Sequence, residues 1–164
     1  MPIRIATLND VDVISSLAEA IWWPSYRDII PDEQIALMLQ NMYTVEALKE
    51  QLLEGITFLL AEENNSAVGF AGFSLIDPKR KLYKIHKLYV LPSQQGKGTG
   101  KALITYIAEH CKQQDGLALQ LNVNRNNPAL SFYQKQGFNI VAEVDIPYYR
   151  FFMNDYVMEM SLLK

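Results

Sequence analysis

The chain has 164 residues, of which 49% are hydrophobic and 20% are charged, and this is enough to build one well-packed domain spanning residues 1–164. A formal net charge of −3 argues against nucleic-acid and anionic-membrane partners, and it mildly favours a cationic ligand. A single cysteine excludes an internal disulfide, and two histidines are too few for a metal site. Because we find no signal peptide and no long apolar span, we expect a cytoplasmic protein.

The first third of the chain predicts one short strand followed by helices. Ile3–Ala6 has the pattern of a strand, and Thr7 with Asp10 three residues later resembles a capping box. The helix that follows is predicted to end at Trp22-Trp23-Pro24. A second helix is expected to begin near Pro31, and a third is expected from Thr44 to Glu54.

From residue 57 onward the pattern changes to strands. The runs 57–62, 67–76 and 82–91 are separated by turn-forming clusters and predict an antiparallel meander. A helical pattern then leads to the alternating run 117–123, and a strand-helix-strand unit of this length predicts two parallel strands. Asn127 and Pro128 open a further helix that Gly137 closes. Two last strands are expected at 138–143 and 156–162, which completes a mixed α/β fold with a mostly antiparallel central sheet and flanking helices.

A glycine-rich loop joins the strand ending at Leu91 to the next helix. Glycines at 96, 98 and 100 remove side chains that would keep a ligand from the backbone. The helix that follows directs unsatisfied N–H groups and the positive end of its dipole at the same place. This arrangement predicts an anion site that suits phosphate.

The spacing of this loop excludes the two common nucleotide motifs. A P-loop ending in Gly100-Lys101 would need glycine at 95 and a hydroxyl residue at 102, where the chain has Gln95 and Ala102. A dinucleotide-binding fingerprint would need glycine at 101 or 103, where the chain has lysine and leucine. Binding of a nucleoside triphosphate with magnesium is therefore not expected.

Two motifs in the second half do match a known family. Gln95-x-x-Gly98-x-Gly100 resembles the pyrophosphate loop of the GNAT superfamily of N-acetyltransferases. Asn126-Asn-Pro-Ala129, followed by Tyr133 and Gly137-Phe138, resembles the Asn-x-x-Ala-x-x-x-Tyr-x-x-x-Gly-Phe segment of the same enzymes. The motifs follow in the family's order, and the resemblance covers roughly residues 3–163. The Trp-x-x-Tyr-x-x-Ile-Ile-Pro run and the closing run 153–159 resemble a bacterial branch that includes polyamine acetyltransferases.

The resemblance implies acetyl-CoA as cosubstrate, with no metal. In the family the sheet splays open between the two parallel strands, and the pantetheine amides of coenzyme A pair with strand backbone there. The residues expected to contact the cosubstrate are Leu88, Tyr89, Val90, Gln95, Gly96, Lys97, Gly98, Thr99, Gly100, Lys101, Asn126 and Tyr133. For Asn126 and Asn127 there is also the simpler interpretation that both only form a turn and cap a helix.

The resemblance assigns Tyr133 as the general acid that protonates the departing thiolate, since a phenol has a pKa near 10. Many relatives carry a glutamate base on the strand before the loop, but Tyr83–Tyr89 contains no carboxylate. His86 on that strand has a suitable intrinsic pKa. Strand alternation places it with Leu88 and Val90, which equally fits a structural histidine, and a water chain or a base elsewhere also remains open.

Aromatic residues beside a carboxylate are the candidates for binding the acceptor. They are Trp22, Trp23, Tyr26 and Asp28 after the first helix, and Tyr148, Tyr149 and Phe152 in a loop before the last strand. The same residues would also serve as a packed lid.

We therefore expect an N-acetyltransferase acting by direct attack in a ternary complex. The acceptor would be a primary amine, either a small amine such as a polyamine or a protein amino terminus. The alternative is a non-catalytic module that senses acyl-CoA. Exposed edge strands would allow a homodimer.

Overall fold

The structure is a computed structural model that describes residues 2–163. Over this range the strands are β1 (Ile3–Ile5), β2 (Thr57–Glu63), β3 (Ser66–Asp77), β4 (Leu82–Val90), β5 (Ala118–Asn124), β6 (Asn139–Tyr148) and β7 (Phe151–Ser161), and the helices are α1 (Val11–Tyr26), α2 (Asp32–Met42), α3 (Val45–Leu53), α4 (Thr99–Gln113) and α5 (Ala129–Gln136). The strands form a sheet in the order β1-β2-β3-β4-β5-β7-β6, mostly antiparallel, with β4 and β5 as its parallel pair. The predicted mixed α/β fold and its parallel crossover are confirmed.

The described chain divides into two compact units. The first unit comprises residues 2–74 and 87–107, and the second comprises residues 75–86 and 108–163. Strands β3 and β4 and helix α4 each contribute residues to both units. The two units are described separately below.

The first unit is built from β1, β2, helices α1 to α3 and the adjoining parts of β3, β4 and α4. Its fully buried side chains come from both helices and strands, and the largest are Ile14, Ile21, Ile35, Leu48, Phe58, Leu59, Leu60, Phe70, Phe73, Leu103 and Ile107. Removing side chains of this size from water supplies most of the stability of such a core, roughly 1.5–3 kcal/mol for each one.

The start of α1 is fixed by the predicted capping box. Thr7 caps a short 3₁₀ turn, Leu8–Asp10, which leads into the helix. The Asp10 carboxylate accepts the Thr7 backbone N–H at 2.8 Å, and both terminal nitrogens of Arg4 donate to the same carboxylate at 2.8 and 2.9 Å. These charge-assisted bonds hold the pKa of Asp10 at about 2, below its usual value.

The predicted end of α1 at Trp22-Trp23-Pro24 is wrong, because the helix continues to Tyr26 with Pro24 inside it. Proline lacks one backbone N–H, but so close to the helix end it interrupts a single bond, and the Arg27 N–H still bonds to the Trp23 carbonyl at 3.1 Å. The extra turn carries the Tyr26 side chain to Tyr89 of β4.

The second unit contains the parallel pair and the last hairpin. Four register pairs join β4 to β5, from Leu82↔Ala118 to Ile85↔Leu121, and β4 continues to Val90 beyond the last of them. The other side of β5 pairs antiparallel with β7 along its whole length, from Ala118↔Ser161 to Asn124↔Asp155.

The predicted bounds of the last two strands are too short, and the predicted loop between them is wrong. Strand β6 runs to Tyr148 and β7 begins at Phe151, so only Tyr149 and Arg150 form the turn. Pro147 is tolerated because β6 lies at the edge of the sheet, where a missing backbone donor breaks no ladder on the outer side. Tyr149 adopts a left-handed backbone with φ of +55°. The sequence does not predict this turn, because tyrosine is not a residue type that favours such a backbone.

Candidate functional site

The glycine loop has the backbone conformation that its sequence predicts. Gly96 has φ of +81° and Gly98 has φ of +84°, which are angles that side-chain-bearing residues rarely adopt. A Cβ atom added to either glycine would meet no protein atom within 4 Å. The loop therefore keeps its backbone bare toward open space, and α4 begins directly after it at Thr99 with a first turn whose N–H groups have no partner inside the helix.

The first residue of α4, Thr99, places a buried hydroxyl next to the glycine loop. Thr99 is almost completely buried, and its Oγ1 has no hydrogen-bond partner among residues 2–163. Its methyl group lies 3.5 Å from the position of a Cβ on Gly69, and that Cβ would also lie 3.0 Å from the Tyr89 carbonyl oxygen. Glycine at 69 thus allows β3, β4 and the start of α4 to approach closely. The unpaired hydroxyl beside bare backbone amides fits an anionic group such as a pyrophosphate.

An open depression adjoins the loop and the first turns of α4. Its volume is about 520 Å³, and it is lined by Ile3, Gly98, Lys101, Ala102, Thr105 and Tyr106. Lys97 and Lys101 are both exposed near it, so the positive charge that a further phosphate would need is available from two side chains.

Five aromatic rings gather beside the end of β4, in what we call the aromatic cluster: Trp22, Tyr26, Tyr43, Phe70 and Tyr89. The hydroxyls of Tyr26 and Tyr89 lie 3.1 Å apart. Desolvation raises the pKa of the Tyr43 phenol well above its ordinary value. Of the predicted acceptor residues, Tyr26 and Trp22 belong to this cluster, while Trp23 donates its indole N–H to Glu19 at 3.2 Å and Asp28 is exposed.

Lys87 is buried beside one of these rings. Its Nζ lies over the Tyr43 ring, 5.1 Å from the centroid, and within residues 2–163 it forms no ion pair. Burial lowers the pKa of Lys87 to about 8. Attraction to the ring face favours the charged amine and partly offsets this loss of solvation.

In the second unit, the neighbouring residues Asn126 and Asn127 make different hydrogen bonds. The Asn127 side chain accepts the Ala129 N–H at 2.9 Å and so caps the first turn of α5. The Asn126 side chain is exposed and makes no hydrogen bond within the described part of the chain, although its backbone N–H donates to the Asn124 side chain at 2.9 Å. Capping therefore accounts for Asn127 and leaves the Asn126 amide available for a ligand.

Tyr133 lies on α5 and is buried with only 9% exposure. Its ring packs edge to face on Phe132 and Phe138, with centroids 5.3 and 6.1 Å away. The helix ends at Gly137, whose φ of +108° lets the Phe138 N–H return to the Tyr133 carbonyl at 3.1 Å. The C-terminal glycine and the aromatic contacts together fix the ring of Tyr133.

The remaining predicted residues of the second unit are His86, Tyr148 and Tyr149. His86 is half-buried on β4. Tyr148 ends β6, and its ring contacts that of Tyr149 with centroids 5.1 Å apart. Tyr149 is strongly exposed in the hairpin turn, while Phe152, predicted in a loop, lies within β7.

Within residues 2–163, no group of three His, Cys, Asp or Glu side chains is placed to hold a metal ion. In the same range, none of the helices is long and apolar enough to cross a membrane.

The mixed α/β fold and the glycine loop at the start of α4 are typical of an acetyltransferase fold, and comparison with known proteins gives the family. The sequence profile of the Acetyltransferase (GNAT) family matches residues 17–138. The chain belongs to this family, and it is an N-acetyltransferase.

Relatives with similar sequences and structures carry the same assignment. YuaI, an uncharacterised N-acetyltransferase of Bacillus subtilis (strain 168), is 29% identical over 143 residues, which make up 86% of this chain and 82% of YuaI. The spermidine N(1)-acetyltransferase of Thermoplasma acidophilum is 28% identical over 144 residues, covering 84% of this chain and 88% of the relative. The crystal structure of the PaiA N-acetyltransferase from Thermoplasma acidophilum in complex with coenzyme A has a TM-score of 0.84 at 25% identity, covering 98% of this chain and 99% of PaiA.

Two polar groups that are buried or half-buried were not singled out from the sequence. Lys87 is one of them. Strand alternation places it on the same side of β4 as Ile85, which is buried. Asp155 of β7 is the other, and burial raises its pKa above the ordinary value of a carboxyl group. Asp155 falls outside the predicted strand 156–162, so the sequence offered no means of placing it on a sheet face.

Proposed function

We propose that the chain transfers the acetyl group of acetyl-CoA to a primary amine by direct attack in a ternary complex. The observation that carries this proposal is the loop Gly96–Gly98, with its two positive φ angles and open space over both glycines. Backbone amides of the loop, the Thr99 hydroxyl and the charges of Lys97 and Lys101 would bind the pyrophosphate and the remaining phosphate. The cosubstrate supplies an activated thioester when it is bound.

The strand backbone before the loop is proposed to bind the pantetheine arm. The register pairs between β4 and β5 end at Ile85, and residues 88–90 follow later on the same strand. They can form strand-like hydrogen bonds with amides of an extended ligand. The unbonded side chain of Asn126 is proposed as a further contact to this arm.

The only cysteine supports direct attack rather than a covalent acyl-enzyme. Cys111 is completely buried, and burial raises the pKa of its thiol to about 12. Since the thiolate is the nucleophilic form, a thiol with this pKa stays inactive at neutral pH. The acceptor amine is then the nucleophile itself.

Tyr133 is proposed as the general acid. A phenol that is held rigidly by Phe132 and Phe138 can donate its proton to the departing sulfur. Replacing Tyr133 by Phe keeps the ring and its packing, so we expect the melting temperature and coenzyme A affinity to stay unchanged while kcat falls by about 10²-fold or more. The variant Tyr83→Phe, which also loses a phenol hydroxyl in the second unit, is the matched control and should retain its turnover. An unchanged kcat in Tyr133→Phe would refute this role.

The acceptor is proposed to be a small primary amine, including polyamines, or a protein amino terminus. The negative net charge favours a cation, and a relative of similar length is named for spermidine. Tyr26 with Asp28 in the first unit, and Tyr148 with Tyr149 in the second, are proposed acceptor contacts, with Trp23 beside Tyr26.

An amine panel tests the acceptor directly. Spermidine, peptides with a free amino terminus, aminoglycosides and amino acids are each incubated with acetyl-CoA and the purified chain, and released thiol is recorded. The proposal predicts thiol release that depends on a primary amine and yields an acetylated amine by mass spectrometry. Release that is equal with and without every amine would contradict it.

A further inference from the structure

One side of the sheet formed by β4, β5 and β7 is lined with polar side chains. The register pairs Lys84 with Gln120 and Gln120 with Glu159, and it pairs Asn124 with Asp155. Paired residues of neighbouring strands project from the same side, and alternate residues of one strand do so too. We call this side of the second unit the polar face and define it by Lys84, Gln120, Asn122, Asp155 and Glu159. The opposite side carries the buried residues Leu119, Leu121, Val123 and Met158.

Two carboxylates of the polar face have different surroundings. Glu159 is fully engaged, because it accepts from Arg80 and from Gln120, each at 3.0 Å. Asp155 is half-buried, and its side chain has a single long hydrogen bond, from the Asn122 amide at 3.5 Å. Burial raises the pKa of the Asp155 carboxyl, while that bond and the charges of Lys84 and Arg125 act in the opposite direction. Asp155 is thus a carboxylate with unused acceptor capacity.

A second unused acceptor adjoins it. The Oδ1 atom of Asn122 is completely buried and has no hydrogen-bond partner in the part of the chain that the structure describes. The nitrogen of the same amide donates to Asp155, so the unpaired oxygen and the carboxylate are only a few bond lengths apart. Leaving a buried carbonyl oxygen unpaired is destabilising, and a donor from a ligand would remove this penalty. An amine or ammonium group offers up to three donors to such a pair of acceptors.

The position of Asp155 relates this pair to the proposed binding of the cosubstrate. Asp155 lies directly opposite Asn124, and the next residues, Arg125 and Asn126, begin the segment proposed to contact the pantetheine arm. The Arg125 side chain reaches back to the Asp155 carbonyl oxygen at 3.4 Å, and Asn126 donates its backbone N–H to the side chain of Asn124. The proposed acceptor contact at Asp155 and the proposed pantetheine contact at Asn126 therefore both lie near the end of β5, within the second unit.

We infer that Asp155 accepts a proton from the ammonium form of the acceptor, with Asn122 Oδ1 holding a second N–H of the same group. This inference rests on the proposed N-acetyltransferase function. One N–H bond of the ammonium breaks and its proton moves to Asp155, which leaves the nitrogen lone pair free to form the N–C bond to the acetyl carbon while the C–S bond breaks. The sulfur takes its proton from Tyr133, the nitrogen returns a second proton to that phenolate through solvent, and Asp155 releases its own proton to solvent.

The groups around Asp155 suit this task. Lys84 of β4 lies on the same face without forming an ion pair to Asp155, and its positive charge favours the neutral form of an amine that is bound nearby. His86 follows Lys84 on the same side of β4, and Arg125 binds Glu143 and Asp145. From β6 the residue opposite Asp155 is the apolar Val144. Asp155 thus supplies on β7 the carboxylate that β4 lacks.

The test compares pH profiles of acetyl transfer for the wild type and for Asp155→Asn. The replacement keeps an oxygen that can accept the Asn122 bond, and it removes the ability to take a proton. Asp145→Asn is the matched control, because this carboxylate is exposed on β6 and its partner Arg125 retains Glu143. His86→Gln tests the other base candidate. The acceptor is the best primary amine of the panel, and coenzyme A affinity by calorimetry confirms that each variant is folded.

For the wild type we expect kcat/KM to be level through neutral pH, above an acid limb set by Asp155. For Asp155→Asn we expect a loss of about 10²-fold or more at pH 7, and a rise of about tenfold per pH unit toward the pKa of the free amine near 10. Asp145→Asn should follow the wild type. A wild-type profile in Asp155→Asn, or loss of the acid limb in His86→Gln alone, overturns the inference and leaves the proposed function standing. Failure of the wild type with every amine overturns both.

Discussion

Replacing Gly98 by alanine tests whether the glycine loop binds the cosubstrate through bare backbone. Gly98 has φ of +84°, and an added Cβ would project into space that holds no protein atom within 4 Å. The strain of this backbone angle costs an alanine about 1–2 kcal/mol. If the loop relaxes to avoid the strain, amides aimed at the pyrophosphate turn away, and each lost bond to a charged group is worth about 1.5–3 kcal/mol. Since 1.4 kcal/mol is tenfold in affinity, we expect acetyl-CoA to bind at least about tenfold more weakly.

Gly55 provides a control with the same strain away from the loop. It follows α3 with φ of +106°, and a Cβ there also meets nothing within 4 Å. Urea denaturation should show a similar loss of stability, about 1–2 kcal/mol, for Gly55→Ala and Gly98→Ala. Calorimetric titration with acetyl-CoA should separate them, with only Gly98→Ala losing affinity. If both variants bind acetyl-CoA as the wild type does, the assignment of this loop is wrong.

Three further changes test the stability of the two units. Lys87→Met should raise the free energy of unfolding at pH 7 by about 1–3 kcal/mol, because it removes a buried amine that forms no ion pair with any described residue. With a folded pKa of about 8 against 10.5 unfolded, wild-type stability should rise between these pH values, and in Lys87→Met that rise should be absent. Asp10→Asn should cost about 1 kcal/mol at neutral pH, and the contribution of Asp10 should be present above pH 4 and lost as pH falls toward about 2. Gly116→Ala should lower the melting temperature, since its Cβ would lie 2.8 Å from the Cys111 carbonyl oxygen.

Each of these three predictions has an outcome that would contradict it. Equal stability of Lys87→Met and the wild type at pH 7 would mean that contact with the Tyr43 ring fully compensates the buried charge. An Asp10→Asn variant with the same acid unfolding curve as the wild type would mean that the Arg4 contact does not persist in solution. A Gly116→Ala variant of unchanged melting temperature would show that the turn before β5 adjusts freely.

Local signals predicted the backbone of the glycine loop and the position of α5. The glycine spacing at 96, 98 and 100 fixes a backbone conformation over a few residues, and the structure has positive φ at two of these glycines. The Asn127-Pro128 start and the Gly137 end of α5 are equally local, so the helix carrying Tyr133 lies where the sequence places it. Such features depend on neighbouring residues and need no knowledge of the rest of the fold.

Features that depend on distant partners were predicted less well. Pro24 and Pro147 are breakers by local rules, yet one lies inside the last turns of α1 and the other in an edge strand, where the lost donor matters little. Because the hairpin turn at Tyr149 has no glycine or asparagine, the strand β7 could not be extended back to Phe151 from the sequence. Asp155 was missed for that reason. Lys87 lies over the ring of Tyr43, a residue distant in sequence that only the fold brings to β4.

The fate of the acetyl group tests the central claim most directly. Acetyl-CoA labelled in its acetyl carbons is incubated with the purified chain and a primary amine, and both labelled acetyl-amine and free coenzyme A are quantified. We expect the two products to form in equal amounts and no label to be retained on the protein. Label bound to the chain, or coenzyme A released without acetylated amine, would contradict it.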